Sequence, residues 1–224
     1  MKTGLAYSKD CLLHTPYSGN PEVAERVLCT WEHFNEIGLL ENLSTISTRP
    51  ASEDDILRVH AEQHISHVKT VSEEGYGLSN YVIPDAYISP KTFDAALASA
   101  GCVMSAAESV VKGDVRNCFS LNRPPGHHSS HGPSGFCYFN NLAVAIKYSQ
   151  EKLGVKKVAV FDWDAHAGNG TMDIFYKDST VYTISIHQDP HSFYPGRGFV
   201  DEVGVGEGVG YCANIPLPAG AGDG

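Results

Sequence analysis

The spacing of apolar residues predicts a chain in which helices and strands alternate. The clearest helix is expected over residues 91–111, where apolar side chains recur every three or four positions and Gly113 follows the last turn. Further helices are predicted over residues 21–39 and from Asn140 or Asn141, either of which can cap a helix, to Leu153. Shorter helical patterns cover residues 53–60, 63–72 and 171–176.

Strand patterns lie between these helices. They cover residues 4–7, 117–121, 157–162 and 180–187, whereas residues 75–90 and the glycine-rich chain after Gln188 are expected to form loops. Residues 157–162 are continuously apolar, which is typical of a parallel strand covered on both faces. The alternation predicts an α/β fold with a mainly parallel sheet. Polar groups at the ends of the last three strands would then converge on one sheet edge, where α/β folds place their sites.

Composition and charge narrow the classes of function. The chain has 224 residues, which is room for one large domain or two small ones, and 42% hydrophobic and 19% charged residues suit a folded protein. We expect a single domain over residues 1–224. Its net charge of −10 disfavours direct nucleic-acid binding and suits a cationic substrate. We expect no secretory signal and no stretch of membrane-spanning length, hence no membrane partner. The 6 cysteines are scattered without a CxxC pair, which indicates a reduced, cytoplasmic protein.

Two carboxylates and an imidazole follow the apolar run at 157–162. If the segment is extended, Asp162, Asp164 and His166 point the same way, because alternate residues share a face. Packed together, these groups repel or lose hydration unless a cation compensates, and carboxylate oxygen and neutral imidazole both suit zinc. A solvated polar strand end explains the spacing equally well, so the pattern alone leaves both interpretations open.

The loop after residues 117–121 carries adjacent histidines. Prolines and a glycine stiffen the segment from Arg123 to His128, and His127 and His128 could act as a base and acid pair. Taken alone, such a pair is more often a surface feature. The rings of Phe136 and Tyr194 are either core aromatics or the walls of a narrow apolar tunnel.

Ordered motifs along the chain carry a resemblance to a known family. They are RPPGHHS, GFCYFNN, FDWDAHAGNGT, ISIHQ, FYPGRG and NIPLPAGAGDG. Together they resemble the histone deacetylase family, which includes the acetylpolyamine amidohydrolases and has an arginase-like, three-layer α/β fold. The residues at positions 163 and 169, Trp163 and Asn169, are similar to those of the class II-like branch of that family.

The resemblance implies a role for each polar residue of these motifs. Asp164 and His166 would be zinc ligands, and His127 and His128 would activate the attacking water and protonate the departing amine. Asp162 and Asn169 would orient those histidines through hydrogen bonds. A zinc site normally has three protein ligands, and the aspartate that supplies the third in this family has no counterpart here.

The resemblance also implies a second cation and a set of substrate contacts. A monovalent cation such as K⁺ would be bound by Asp162, by the Ser185 hydroxyl and by backbone oxygens that include that of Ile186. The acyl-lysine tunnel and its rim would be lined by Asp85, Gly135, Phe136 and Tyr194.

The expected reaction is therefore zinc-dependent hydrolysis of an N-acetyl amide on lysine side chains of proteins. Acetylpolyamines or other small acetylated amines are the alternative substrates, since an acidic chain suits either. The family's carbonyl-polarising tyrosine is also unmatched, so the chain is expected to be truncated at its C-terminus and weakly active by itself. A truncated, non-catalytic binding partner is the alternative of another class. Such a chain would expose a sheet edge and could self-associate. A eukaryotic source would make the nucleus a second location.

Overall fold

The computed structural model describes residues 2–74 and 86–222. Within them the chain forms two compact units, residues 1–154 and 155–224, and each is described by itself. The expectation of one catalytic domain over the whole chain stays a prediction.

In its described residues, the first unit contains three short strands and five helices. The strands are β1 (Thr3–Ala6), β2 (Ser44–Ile46) and β3 (Asn117–Ser120), and the helices are α1 (Glu25–Glu36), α2 (Glu53–Ile56), α3 (Glu62–Glu74), α4 (Thr92–Lys112) and α5 (Asn141–Lys152). Short 3₁₀ turns cover Lys9–Leu12 and Leu39–Asn42. The strands form a parallel sheet in the order β2-β1-β3. β2 was not predicted, because three residues are too few to show an alternation.

The ends of the helices follow the capping chemistry of the sequence. Asn140 caps α5, since its side-chain oxygen accepts a hydrogen bond from the backbone N–H of Ala143. Gly113 ends α4 in the left-handed conformation, at φ 81°, as predicted. Ser52 and Asp55 form a capping box on α2, which lasts only four residues and stops short of the predicted His60. α1 is likewise shorter than predicted, beginning at Glu25 rather than Pro21.

Helix α4 is the centre of the first unit. It packs against α5, and its side chains Phe93, Ala96 and Met104 join Val68 and Phe139 in the main apolar core. By length and composition α4 could cross a membrane, contrary to the expectation that no stretch is long enough. However, 56% of its apolar window is buried inside the molecule, as in the core helix of a globular domain.

The second unit is a parallel sheet with one helix. It contains β4 (Val158–Asp162), α6 (Asn169–Phe175), β5 (Val181–Gln188) and β6 (Cys212–Leu217), with a 3₁₀ turn at Gly206–Gly208. The strand order is β4-β5-β6. The parallel α/β character is confirmed, but the expectation of loop alone after Gln188 is wrong, because β6 pairs with β5 over its whole length.

Strand β4 differs from its prediction in burial. It was expected to be covered on both faces, yet it is an edge strand of its sheet and Phe161 is 54% exposed. The continuous apolar run identified the strand correctly but not its environment. In the described residues β3 belongs to one sheet, and β4 and β5 to another. A single sheet edge for all three strand ends therefore stays a prediction.

Candidate functional site

The carboxylates that follow β4 are held by local turns. The strand ends at Asp162, whose Oδ1 accepts a hydrogen bond from the backbone N–H of Asp164 at 3.0 Å. Asp164 Oδ2 in turn accepts one from the backbone N–H of His166 at 2.9 Å. The prediction of an extended segment here is wrong, because aspartates readily hydrogen-bond the backbone two residues on and curl the chain. The two turns nevertheless bring Asp164 and His166 together.

Asp164 and His166 form a close polar pair. Nδ1 of His166 lies 3.1 Å from Oδ2 of Asp164, and both side chains are partly open to solvent. Two rings pack on the imidazole. Phe193 is stacked parallel to it, with centroids 4.6 Å apart, and Tyr194 meets it edge-on at 5.8 Å. His166 is thus oriented by a carboxylate on one ring atom and by aromatic contacts on the ring itself.

This pair fits two positions of a zinc site. Ligand atoms about 2.0–2.1 Å from a tetrahedral zinc lie about 3.3 Å apart, close to the separation of the Asp164 and His166 atoms. A carboxylate oxygen and an imidazole nitrogen are also suitable donors for zinc. Residues 2–74 and 86–222 contain no group of three His, Cys, Asp or Glu side chains placed to hold a metal. The assignment of Asp164 and His166 as zinc ligands, with the third ligand lacking, stays a prediction.

The predicted monovalent-cation residues are neighbours across the sheet. Asp162 on β4 is in register with Ser185 on β5, and Ile186 follows in the same strand. The Ser185 hydroxyl lies 2.8 Å from Nδ1 of His187, whose Nε2 donates to the backbone oxygen of Gly198. The side chains of Asp162 and Ser185 are therefore neighbours on adjacent strands. Binding of a cation by these two residues stays a prediction.

In the first unit, a buried guanidinium anchors the loop that carries the histidines. Arg123 is 2% exposed and donates to both carboxylate oxygens of Glu22, at 2.9 and 2.7 Å. It also donates to the backbone oxygens of Cys11 and His14. Burial, together with the nearby Arg123 charge, lowers the pKa of His14 to about 3. Arg123 was part of a predicted motif but had no predicted role.

His127 and His128 are packed side by side on this loop. Their ring centroids are 4.0 Å apart, and His128 is buried whereas His127 is partly exposed. The backbone N–H of His128 donates to Sγ of Cys137 at 3.4 Å. A Cβ atom on Gly135 would lie 2.8 Å from Cγ of His128, so only glycine fits against that ring. Besides the prolines of the loop, contacts with Cys137 and Gly135 therefore restrain His128.

A tight turn presents Phe136. Ser134 and Cys137 exchange backbone hydrogen bonds of 3.0 and 2.8 Å, and the two residues between them, Gly135 and Phe136, have φ values of 53° and 65°. Positive φ at both central positions is the signature of a type I′ hairpin turn. A left-handed phenylalanine is rare and is typically maintained by its surroundings at functional sites. Phe136 is only partly buried, unlike the core ring Phe139.

The other predicted site residues have simpler outcomes. Asn169 is the first residue of α6. Asp85 lies outside the described residues. The structure joins Asp162, Asp164, His166 and Tyr194 in the second unit, and His127, His128, Gly135 and Phe136 in the first. Phe193 was missed, because neighbouring aromatics such as Phe193 and Tyr194 give no signal about which one packs on a histidine.

Comparisons with known proteins agree with one another. The family described as "Histone deacetylase domain" matches residues 20–224. A "Probable deacetylase" of Archaeoglobus fulgidus is 40% identical over 100% of this chain and 61% of its own length. A "Histone deacetylase-like amidohydrolase" of Pseudomonas aeruginosa is 41% identical over 83% of this chain and 48% of its own. The crystal structure of the HDA15 HD domain superposes with a TM-score of 0.90 at 35% identity, covering 96% of this chain and 61% of that one. The chain therefore spans at most about three fifths of these relatives.

Proposed function

This chain belongs to the histone deacetylase family, and from that premise we propose that it carries zinc-dependent hydrolysis of N-acetyl amides on lysine side chains. The observation that carries the proposal is the Asp164–His166 pair, with Nδ1 and Oδ2 separated by 3.1 Å directly after β4. A carboxylate and an imidazole at that spacing are a preformed half of a zinc site. Zinc would require the Nδ1 atom of His166 to be unprotonated, as every imidazole ligand does.

Zinc bound by Asp164 and His166 would supply Lewis acidity, which polarises an acyl oxygen and lowers the pKa of water. The chain's own histidines have the complementary task of moving protons. We assign the base to one of His127 and His128 and the acid to the other, because the two rings stand in different surroundings. His128 is buried against Gly135, and His127 is partly open.

Apolar rings would hold the substrate. We propose that Phe136, presented by the turn at Ser134–Cys137, and Tyr194, which contacts His166 edge-on, contact the methylene chain of an acyl-lysine. Gly135 would let the His128 ring lie directly against the turn that presents Phe136, because it has no side chain. Asp85 would hold the substrate backbone or a cationic group. A monovalent cation at Asp162 and Ser185 would offset the negative charge of the carboxylates at the end of β4.

The net charge of −10 favours cationic substrates of either kind, which makes acetylated polyamines the second candidate class. The test compares an acetyl-lysine peptide with acetylputrescine and acetylspermidine, using the complete polypeptide from the gene of this chain and the 224-residue chain alongside it. We expect zinc-dependent turnover of the peptide by the complete polypeptide and little turnover by the shorter chain. Preference for the polyamines would change the substrate class. If the complete polypeptide neither binds zinc nor turns over any of these substrates, the alternative of a non-catalytic binding partner replaces the proposal.

A further inference from the structure

The loop from Phe193 to Glu202 carries two rings that contact His166. Phe193 is stacked on the imidazole with an interplanar angle of 3°, and Tyr194 is nearly perpendicular to it at 77°. The backbone turns immediately afterwards, where the N–H of Gly196 donates to the carbonyl of Phe193 at 3.1 Å. The orientation of the His166 ring therefore depends on where this loop lies.

The carboxylate of Glu202 accepts several hydrogen bonds from residues of this loop. One oxygen accepts hydrogen bonds from the backbone N–H groups of Gly198 and Phe199, at 2.5 and 2.8 Å. The other accepts from Nε of Arg197 at 2.5 Å. Burial opposes ionisation of Glu202, but these donors outweigh burial and lower its pKa. An ionised carboxylate with several donors is a strong local anchor.

Three secondary-structure elements hold this anchored loop. Arg197 donates from Nη2 to Asp173 on α6 at 3.1 Å, and His187 on β5 donates to the backbone oxygen of Gly198 at 2.9 Å. From β6, Asn214 donates to the backbone oxygen of Glu202 at 3.0 Å. Gly198 has φ 97°, and a Cβ atom there would lie 2.6 Å from Nε2 of His187. The loop is thus tied to the same sheet that carries His166.

We propose that Phe193 is a positioning residue for His166 and that Glu202 acts through it by fixing the loop. The inference rests on the proposed role of His166 as a zinc ligand. Asp164 constrains one atom of the imidazole, whereas the parallel contact with Phe193 constrains the plane of the ring. Groups that orient a metal-bound histidine change metal affinity by about 10- to 100-fold when they are removed.

The first measurement is the zinc affinity of the complete polypeptide, determined by competition with a chromophoric chelator. Phe193→Leu keeps an apolar side chain but removes the stacked ring, and we expect zinc to bind about tenfold more weakly. Glu202→Gln should act in the same direction. Phe193→Tyr restores a ring and should restore affinity. The matched control is Phe199→Leu, because Phe199 lies on the same loop but meets His191 at 4.9 Å instead of His166. It should bind zinc within about twofold of the unaltered chain.

The second measurement needs no metal. A ring stacked parallel on an imidazole shifts the carbon-bound protons of that imidazole upfield in the NMR spectrum. We expect the shift of the His166 protons to disappear in Phe193→Leu and to shrink in Glu202→Gln, while thermal unfolding shows both variants folded. Unchanged His166 shifts in both variants, or a loss of zinc affinity in Phe199→Leu equal to that in Phe193→Leu, would overturn the inference. If the unaltered complete polypeptide binds no zinc, the proposed function fails, and the NMR shifts still decide the positioning role.

Discussion

Replacing Gly135 by alanine tests how closely the His128 ring is held. The added Cβ would lie 2.8 Å from Cγ of His128 and closer still to its Cδ2, whereas ordinary contacts begin at 3.4 Å. Since His128 is buried and its backbone N–H is bonded to Cys137, the imidazole has to shift, by roughly 1 Å, or the turn has to open. The left-handed φ of 53° adds about 1–2 kcal/mol for any residue with a Cβ.

We expect Gly135→Ala to lose about 1–3 kcal/mol of unfolding free energy, the range for overpacking a buried position. A displacement of roughly 1 Å at a catalytic group lowers kcat by about 100-fold. Urea denaturation and deacetylation kinetics measure the two effects separately. The matched control is Gly132→Ala in the same loop, where a Cβ meets nothing within 4 Å. If both variants keep equal activity, His128 is not the positioned group that the proposed function requires.

Two further predictions concern the first unit. Burial lowers the pKa values of His14, His60 and His64 to about 3, 4 and 3, so the unfolded chain binds more protons below the ordinary value of 6.5, and stability falls as the pH drops through that window. At pH 5 each of these histidines lowers the free energy of unfolding by about 2 kcal/mol. The urea midpoint should therefore fall steeply from pH 7 to 5, and it should fall less in His64→Leu. A midpoint that does not change with pH would contradict the burial argument. Arg123→Met leaves the Glu22 carboxylate buried without its partner and should cost about 3–5 kcal/mol in urea denaturation, with partial recovery when Glu22 is also changed to Met. Equal stability of Arg123→Met and the unaltered chain would show that the ion pair is not maintained.

The sequence predicted the helices best where capping residues mark their ends. Asn140 and Gly113 cap α5 and α4 as expected, because their preference for these positions is local chemistry. Strand β6 was missed, since its residues Cys212–Leu217 lie among glycines and become a strand only by pairing with β5. Phe161 looked like a core residue and is exposed, because burial depends on the neighbours of a strand and not on its own composition.

In the candidate site, too, local chemistry was predictable from the sequence and tertiary contacts were not. The spacing of Asp164 and His166 left a metal site and a solvated strand end both open, and aspartate turns rather than an extended strand bring the two side chains together. The left-handed Phe136 could not be predicted, because type I′ turns favour Asn-Gly and a phenylalanine there is maintained by surrounding contacts. Glu202 also gave no signal, since its partners are backbone N–H groups, which every sequence has.

Zinc-dependent turnover tests the central proposal most directly. The complete polypeptide is stripped with a chelator and assayed on an acetyl-lysine peptide before and after zinc is restored, in parallel with Asp164→Asn. We expect activity to vanish on stripping and to return with zinc, and the variant to bind zinc weakly and to stay inactive, because it lacks an anionic ligand beside His166. Full turnover by the stripped protein, or by Asp164→Asn, would contradict the account.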